Sequence, residues 1–297
     1  MKFEKRTDLA LEATELRRSA ACAHKVEGIR TSERNDFGYR ADVVEIDSAA
    51  AANELGKPEG TYVTLDLRPY WERAEDALER AARAVGAELR ALMGDSRARS
   101  ALVIGLGNRA MTPDAIGPQA AEHVLVTRHL ADDPEFAAFA EVSVLVPGVL
   151  GRTGIEALEL IRGAARSVRP DAVIVIDALA SRSTERVCAS VQLSDAGIVP
   201  GSGVGNSRST IDRASLGIPV FCVGVPTVVD ARTLALDLLE RSGAKASEDA
   251  LHGVDPGLTV TPRDIDAQIR ELSRIVGYGV DLALQPIDYP TLCALMG

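Results

Sequence analysis

The sequence is poor in residues that cross-link chains or hold metals. Its 297 residues contain four cysteines, Cys22, Cys188, Cys222 and Cys293, and no two form a C-x-x-C pair. That spacing excludes a disulfide scaffold and a structural zinc site, and it leaves free thiols. The only histidines are His24, His123, His129 and His252, and His123 and His129 are badly spaced for one helix face. A histidine-based triad therefore has no support, and surface or packed histidines are the plain reading. The chain also lacks a G-x-S-x-G elbow, an H-E-x-x-H pair and any Asp-Thr-Gly or Asp-Ser-Gly. The common serine, zinc and pepsin-like hydrolase signatures are thus missing.

Other absences concern partners. Lys plus Arg number 33 and Asp plus Glu 43, a formal net charge of −10. No basic stripe offsets that total, so nucleic acid is not a direct ligand. No apolar run approaches the length of a bilayer span. The first residues, Met-Lys-Phe-Glu-Lys-Arg, lack the apolar stretch of a secretory signal, so an intracellular, cytoplasmic location is expected. The apolar fraction of 46 % is too high for a disordered chain.

What is present reads as α/β. Residues 1–35 are rich in charge and alanine and show no strand pattern, although Thr7 or Asp8 can cap a helix starting nearby. Strands are expected at 42–47 and 61–67, joined through the turn-like Gly56-Lys57-Pro58-Glu59-Gly60, with an amphipathic helix over 71–93. Apolar strands follow at 100–106, 142–147, 171–177, 187–193 and 219–225. Helical patterns lie between them at 115–130, 154–168 and 231–241. This alternation predicts a mostly parallel twisted sheet with helices on both faces, forming one domain with an N-terminal extension. Residues 242–258 read as a polar surface loop. Thr261-Pro262-Arg263-Asp264 opens a last helix, with Thr261 at the cap.

Two glycine-rich segments stand out. Gly105-Leu106-Gly107-Asn108-Arg109-Ala110 fits a loose G-x-G-x-x-[GA] after a strand. Thr112-Pro113-Asp114 delays the following helix, however, and Asp132 and Asp133 follow a helix where a ribose-binding acid would end a strand. A glycine turn at the carboxyl edge of the sheet is the better reading, and that edge is where α/β folds place their sites. Gly201-Ser202-Gly203-Val204-Gly205-Asn206 lacks the lysine of a P-loop. It suits a turn or a close backbone approach, for instance to an extended peptide.

Asp114 and Asp177 both belong to strand-end segments of this sheet. Each alone has a structural reading, Asp114 as a helix-terminal acid and Asp177 as a cap or loop acceptor. Together they can face one crevice, where paired carboxylates share a proton and divide the work of base and acid.

Longer ordered stretches carry a resemblance. They include Arg6-Thr7-Asp8-Leu9-Ala10, Tyr62-Val63-Thr64-Leu65, residues 103–108 with Thr112-Pro113-Asp114-Ala115, and Val146-Pro147-Gly148-Val149. Further stretches are Ile176-Asp177-Ala178-Leu179-Ala180, residues 201–206, Leu216-Gly217-Ile218-Pro219, residues 224–230 (GVPTVVD) and Val260-Thr261-Pro262. The chain resembles, over essentially its whole length, the germination protease family (peptidase family A25). These endopeptidases degrade small acid-soluble, DNA-binding spore proteins.

The resemblance implies an aspartic-type endopeptidase whose fold is similar to that of hydrogenase maturation proteases (phosphorylase/hydrolase-like). Its catalytic aspartates are Asp114 and Asp177. The active-site loops carry Gly105, Gly107, Asn108, Gly201, Gly203 and Gly205, with no metal ligands and no cofactor. It implies a homotetrameric zymogen of the forespore or spore core, with a propeptide at residues 1–8 and a single peptidase domain at 9–297. Family members cut after an acid and before a large apolar residue. Thr7-Asp8-Leu9-Ala10 has that chemistry, so self-cleavage at Asp8–Leu9 is expected. Two alternatives stay open: a metal-dependent peptidase of the hydrogenase-maturation kind, and a nucleotide-binding module using residues 105–110 and 201–206.

Overall fold

The central apolar strands run with few polar residues because both of their faces are covered. In the computed structural model, which describes residues 5–19, 27–94, 98–201, 208–242, 253–255 and 257–297, four of the five apolar runs form the parallel part of one sheet, and the run read at 187–193 joins it antiparallel instead. The parallel part contains β4 (Ser100–Gly105), β5 (Glu141–Leu145), β6 (Ala172–Ser181) and β8 (Val220–Asp230). The spatial order β8-β6-β4-β5 is parallel throughout. An antiparallel half extends it: β1 (Ile29–Asp36), β2 (Tyr39–Ile46), β3 (Gly60–Asp66) and β7 (Ser190–Ser194) complete the order β1-β2-β3-β7-β8. A short β9 (Thr259–Val260) pairs antiparallel with the end of β8. The α/β class with helices on both faces is as expected, and the parallel pairing is confined to the four strands that carry the site.

Each sheet face has its own core. Val103, Ile174, Ile176 and Val223 pack against α3 (Ala77–Met93), α4 (Ile116–Ala121) and α9 (Ile265–Leu284). Leu102, Ile104, Val173 and Val175 face the other way, onto Leu158 and Ile161 of α6 (Ala157–Val168). The antiparallel end is covered by α1 (Ala10–Ser19) and α2 (Ala49–Leu55) through Val44, Ile46 and Tyr62. Short turns α5 (Leu150–Thr153) and α7 (Arg213–Leu216), then α8 (Ala231–Arg241) and α10 (Tyr289–Met296), complete the helices among the described residues.

Several local expectations are corrected. β1 is missing from the sequence pattern because IRTSERND is exposed along nearly all its length and has no apolar alternation. It exists through pairing with β2 across Phe37-Gly38, both at positive φ (54° and 82°), a two-residue primed hairpin turn. The helix expected over 115–130 stops at Ala121. Beyond it Leu125 N–H donates to the buried Asp281 carboxylate and Thr127 N–H to the Val142 carbonyl, so tertiary partners take the chain off the helical path. Asp264, not Thr261, occupies the N-cap position of α9, without a side-chain capping bond, and Thr261 Oγ1 donates to the Thr227 carbonyl at 2.9 Å. A further helix, α10, follows. Neither Thr7 nor Asp8 sits as a conventional cap on α1: Thr7 Oγ1 accepts Leu9 N–H, and Asp8 turns to β6. Helix α8 matches its expected limits and is capped by Asp230, whose carboxylate accepts Thr233 N–H at 2.8 Å. The loop read over 242–258 lies mostly outside the described residues. Cys188, Cys222 and Cys293 are free thiols.

Candidate active site

Asp177 does not end its strand. β6 continues four residues beyond it, paired with β8 through Ser181↔Val229 with a bulge after Leu179. The parallel partner on the other side stops earlier, where Gly105 of β4 pairs with Ile176 and Leu106 N–H donates to the Ile176 carbonyl at 2.8 Å. Asp177 is therefore the first β6 residue beyond the end of β4, at the carboxyl edge of the parallel strands. The residue is 5 % exposed, and its carboxylate accepts Ala178 N–H at 2.9 Å.

Asp114 comes from the loop that leaves β4. It ends the turn Thr112–Asp114 and is half-buried. Asn108 N–H donates to both its Oδ2 (2.8 Å) and its carbonyl (3.0 Å). Gly107 makes this fold-back possible. It has φ +117°, and a Cβ there would overlap the Asp114 carbonyl oxygen and lie 3.1 Å from Oδ1. The glycine loop thus cradles the protein's own carboxylate, using the amide that a nucleotide phosphate would require. Thr227 of β8 holds the same loop, its Oγ1 donating to the Pro113 carbonyl at 2.6 Å.

The two aspartates line one cavity of about 350 Å³. Its walls include Leu106, Val149, Leu150 and Leu179, and the exposed Met111 stands at its rim. Burial pushes the Asp177 carboxyl far above the usual range, and the neighbouring charges of Asp114 and, more weakly, Asp8 add to the rise against the pull of Ala178 N–H. Burial also raises Asp114, countered by Asn108 N–H and the Arg208 guanidinium. Two nearby acids in unequal surroundings separate in protonation: Asp177 keeps its proton longer, and Asp114 ionises first.

Of the loop positions expected here, Gly107 and Gly201 line the cavity, while Gly105 ends β4 and Asn108 supports Asp114 from behind. Gly203 and Gly205 lie outside the described residues. His123 packs edge-on to Tyr278 and His129 is exposed, and neither lines the cavity. Among the described residues no three His, Cys, Asp or Glu side chains converge as metal ligands.

The N-terminal segment reaches the same cavity. Asp8 lines it and is tied twice to Ala180 of β6: Asp8 N–H donates to the Ala180 carbonyl, and Ala180 N–H donates to Asp8 Oδ2, both at 2.8 Å. Leu9 is fully buried. Gln192 of β7 spans the Asp8–Leu9 link, its Nε2 donating to the Asp8 carbonyl (3.2 Å) and its Oε1 accepting Ala10 N–H (2.7 Å). Gln192, Gly224 and Asp177 are in register across β7, β8 and β6. They share a face, with the outer two Cα atoms about 10 Å apart at ordinary strand spacing. Gly224 between them carries no side chain, and a Cβ there would meet Leu179 Cγ at 2.6 Å. Thr227, Gln192 and Ala180 escape sequence reasoning because none carries a motif of its own. Thr227 and Ala180 lie inside quoted stretches, but their contacts join positions more than a hundred residues apart.

Comparison with known proteins gives a coherent set. The family model described as "Germination protease" matches residues 7–242. A germination protease of Caldanaerobacter subterraneus subsp. tengcongensis is 39 % identical over 95 % of this chain and 94 % of its own. One from Clostridium perfringens is 37 % identical over 96 % of each, and one from Bacillus cereus 40 % identical over 88 % of this chain and 73 % of its own. Among solved structures, the [NiFe] hydrogenase maturation protease HycI of Thermococcus kodakarensis aligns with TM-score 0.37 and 15 % identity over 65 % of this chain and 99 % of that one, a likeness too slight to bear on function.

Proposed function

The chain belongs to the germination protease family, a peptidase family, and from that premise we propose that it is an aspartic-type endopeptidase with Asp114 and Asp177 as its catalytic pair. The observation that carries this reading is that the two carboxyls share one apolar-walled cavity while their surroundings separate their protonation. Ionised Asp114 takes a proton from water as the oxygen attacks the scissile carbonyl carbon. Neutral Asp177 gives its proton to the amide nitrogen, the tetrahedral intermediate collapses, and the C–N bond breaks into a carboxylic acid and an amine. The apolar wall of Leu106, Val149 and Leu150 suits a large apolar side chain after the cut.

The substrates on this reading are small acid-soluble spore proteins, cut after Glu or Asp and before an apolar residue. The enzyme is a homotetrameric zymogen of the spore core. It releases residues 1–8 by cutting Asp8–Leu9, which leaves 9–297 as the peptidase domain. The seating of Asp8 at the cavity edge and the clamp of Gln192 across that bond support the self-cleavage.

The test is a digest of a small acid-soluble spore protein read by mass spectrometry, with wild type, Asp114→Asn and Asp177→Asn compared and each enzyme's N-terminus mapped. Cuts after acids, lost by at least about a thousandfold in both variants, are expected. Near-normal turnover by Asp114→Asn overturns the assignment.

A further inference from the structure

A second cavity, of about 400 Å³, adjoins the first and shares Asp8, Leu179 and Val199 with it. Lys57 stands in it, on the turn that follows the left-handed Gly56 cap of α2. Its side chain is drawn in from solvent and donates to the Thr7 carbonyl at 3.0 Å. Burial weakens the ammonium, and the charges of Asp8 and Glu12 work against that loss. Those two acids are not equivalent partners. Glu12 is fully buried and already accepts from Thr7 Oγ1, Ser181 Oγ, Arg182 N–H, Ser183 N–H and Arg186. Asp8 has its Oδ2 on Ala180 N–H and sits in both cavities.

Residues 7 and 8 therefore lie as a docked peptide does. Two backbone carbonyls are held by side chains, Thr7 by Lys57 and Asp8 by Gln192, and one strand-like N–H···O bond runs to Ala180. The acidic side chain accepts the Ala180 N–H of β6 and borders both cavities, and Lys57, half-buried, lines the second of them. A cation so placed is costly without a counter-charge. When residues 1–8 leave, the larger of its two counter-charges, Asp8, leaves with them, and Glu12 stays bound to its own donors.

We infer that this second cavity is the subsite for the acidic side chain of an extended peptide substrate, and that Lys57 is the residue that reads it. The inference rests on the peptidase reading above and adds the specificity-determining residue to it. The ammonium offers three donors, enough to hold both the preceding backbone carbonyl and the carboxylate.

The test uses the full chain and two peptides that differ only in Glu or Gln before the cut. The readout is the ratio of kcat/KM for the Glu peptide to that for the Gln peptide. Wild type is expected to favour Glu. Lys57→Met should lower that ratio about 10- to 100-fold, chiefly through KM, and Lys57→Arg should restore part of it. A ratio unchanged by Lys57→Met, or a wild type indifferent to Glu and Gln, overturns the inference while leaving the peptidase reading intact. If wild type with its N-terminus mapped at Leu9 cuts neither peptide, the peptidase reading fails; in that case, or if residues 1–8 are not released, Lys57 is judged by thermal unfolding of the full chain. Asp8→Asn is measured alone and in the Lys57→Met background, and non-additive shifts in Tm support the pairing. Additive shifts overturn it.

Discussion

Asp177→Asn should make the protein more stable and nearly inactive at once. Asparagine has almost the same shape and keeps an acceptor for Ala178 N–H, so packing in the strand is preserved. The carboxyl is what changes. In the unfolded chain it titrates at about pH 4. In the folded chain burial, with Asp114 adding to it, holds it protonated to higher pH. Above about pH 4 the folded state therefore carries a proton that the unfolded state has released. Wild type accordingly loses stability as pH rises through that window, until the folded carboxyl itself ionises. Asparagine escapes the loss. A gain of roughly 0.5–2 kcal/mol at neutral pH is usual when an active-site compromise is removed. For a chain of this length that is about 1–4 °C in Tm. Scanning calorimetry at pH 7 and at pH 4 should find the gain at the first and little at the second, while peptide turnover falls about a thousandfold or more. A Tm that drops at pH 7, or a gain equal at both pH values, would refute burial of the acid as its source. Preserved turnover would remove Asp177 from the chemistry.

Two further substitutions probe the loop that carries Asp114. Gly107→Ala puts a methyl group into the Asp114 backbone at a φ that alanine avoids, and turnover should fall at least about a hundredfold while far-ultraviolet circular dichroism stays close to wild type. Thr227→Val removes the hydroxyl that donates to the Pro113 carbonyl; it should cost about 1 kcal/mol in denaturant unfolding and about tenfold in kcat, with KM little changed.

Much of the architecture was legible because it depends on local pattern. β4, β6 and β8 show themselves as short uninterrupted apolar runs, and α8 begins and ends where its amphipathic pattern does. Other elements depend on neighbours. β1 has no apolar face and owes its existence to a hairpin turn. The acid at Asp177 looks like a strand terminus, since buried strands rarely hold an unpaired carboxyl, yet pairing with β8 carries β6 on to Ser181.

The order and spacing of residues were enough to establish an α/β chain, to single out Asp114 and Asp177, and to show the family likeness that the comparisons bear out, because motifs are contiguous and survive without coordinates. Only the folded chain decided which groups meet. The cavity is lined by a loop folding back over a glycine, Lys57 and Gln192 reach residues 7 and 8 from strands and turns far along the chain, and the unequal burial of two like acids raises both carboxyls, Asp177 more than Asp114. Pairing across a sheet and exclusion of water are properties of three-dimensional packing, and no local run of residues encodes them.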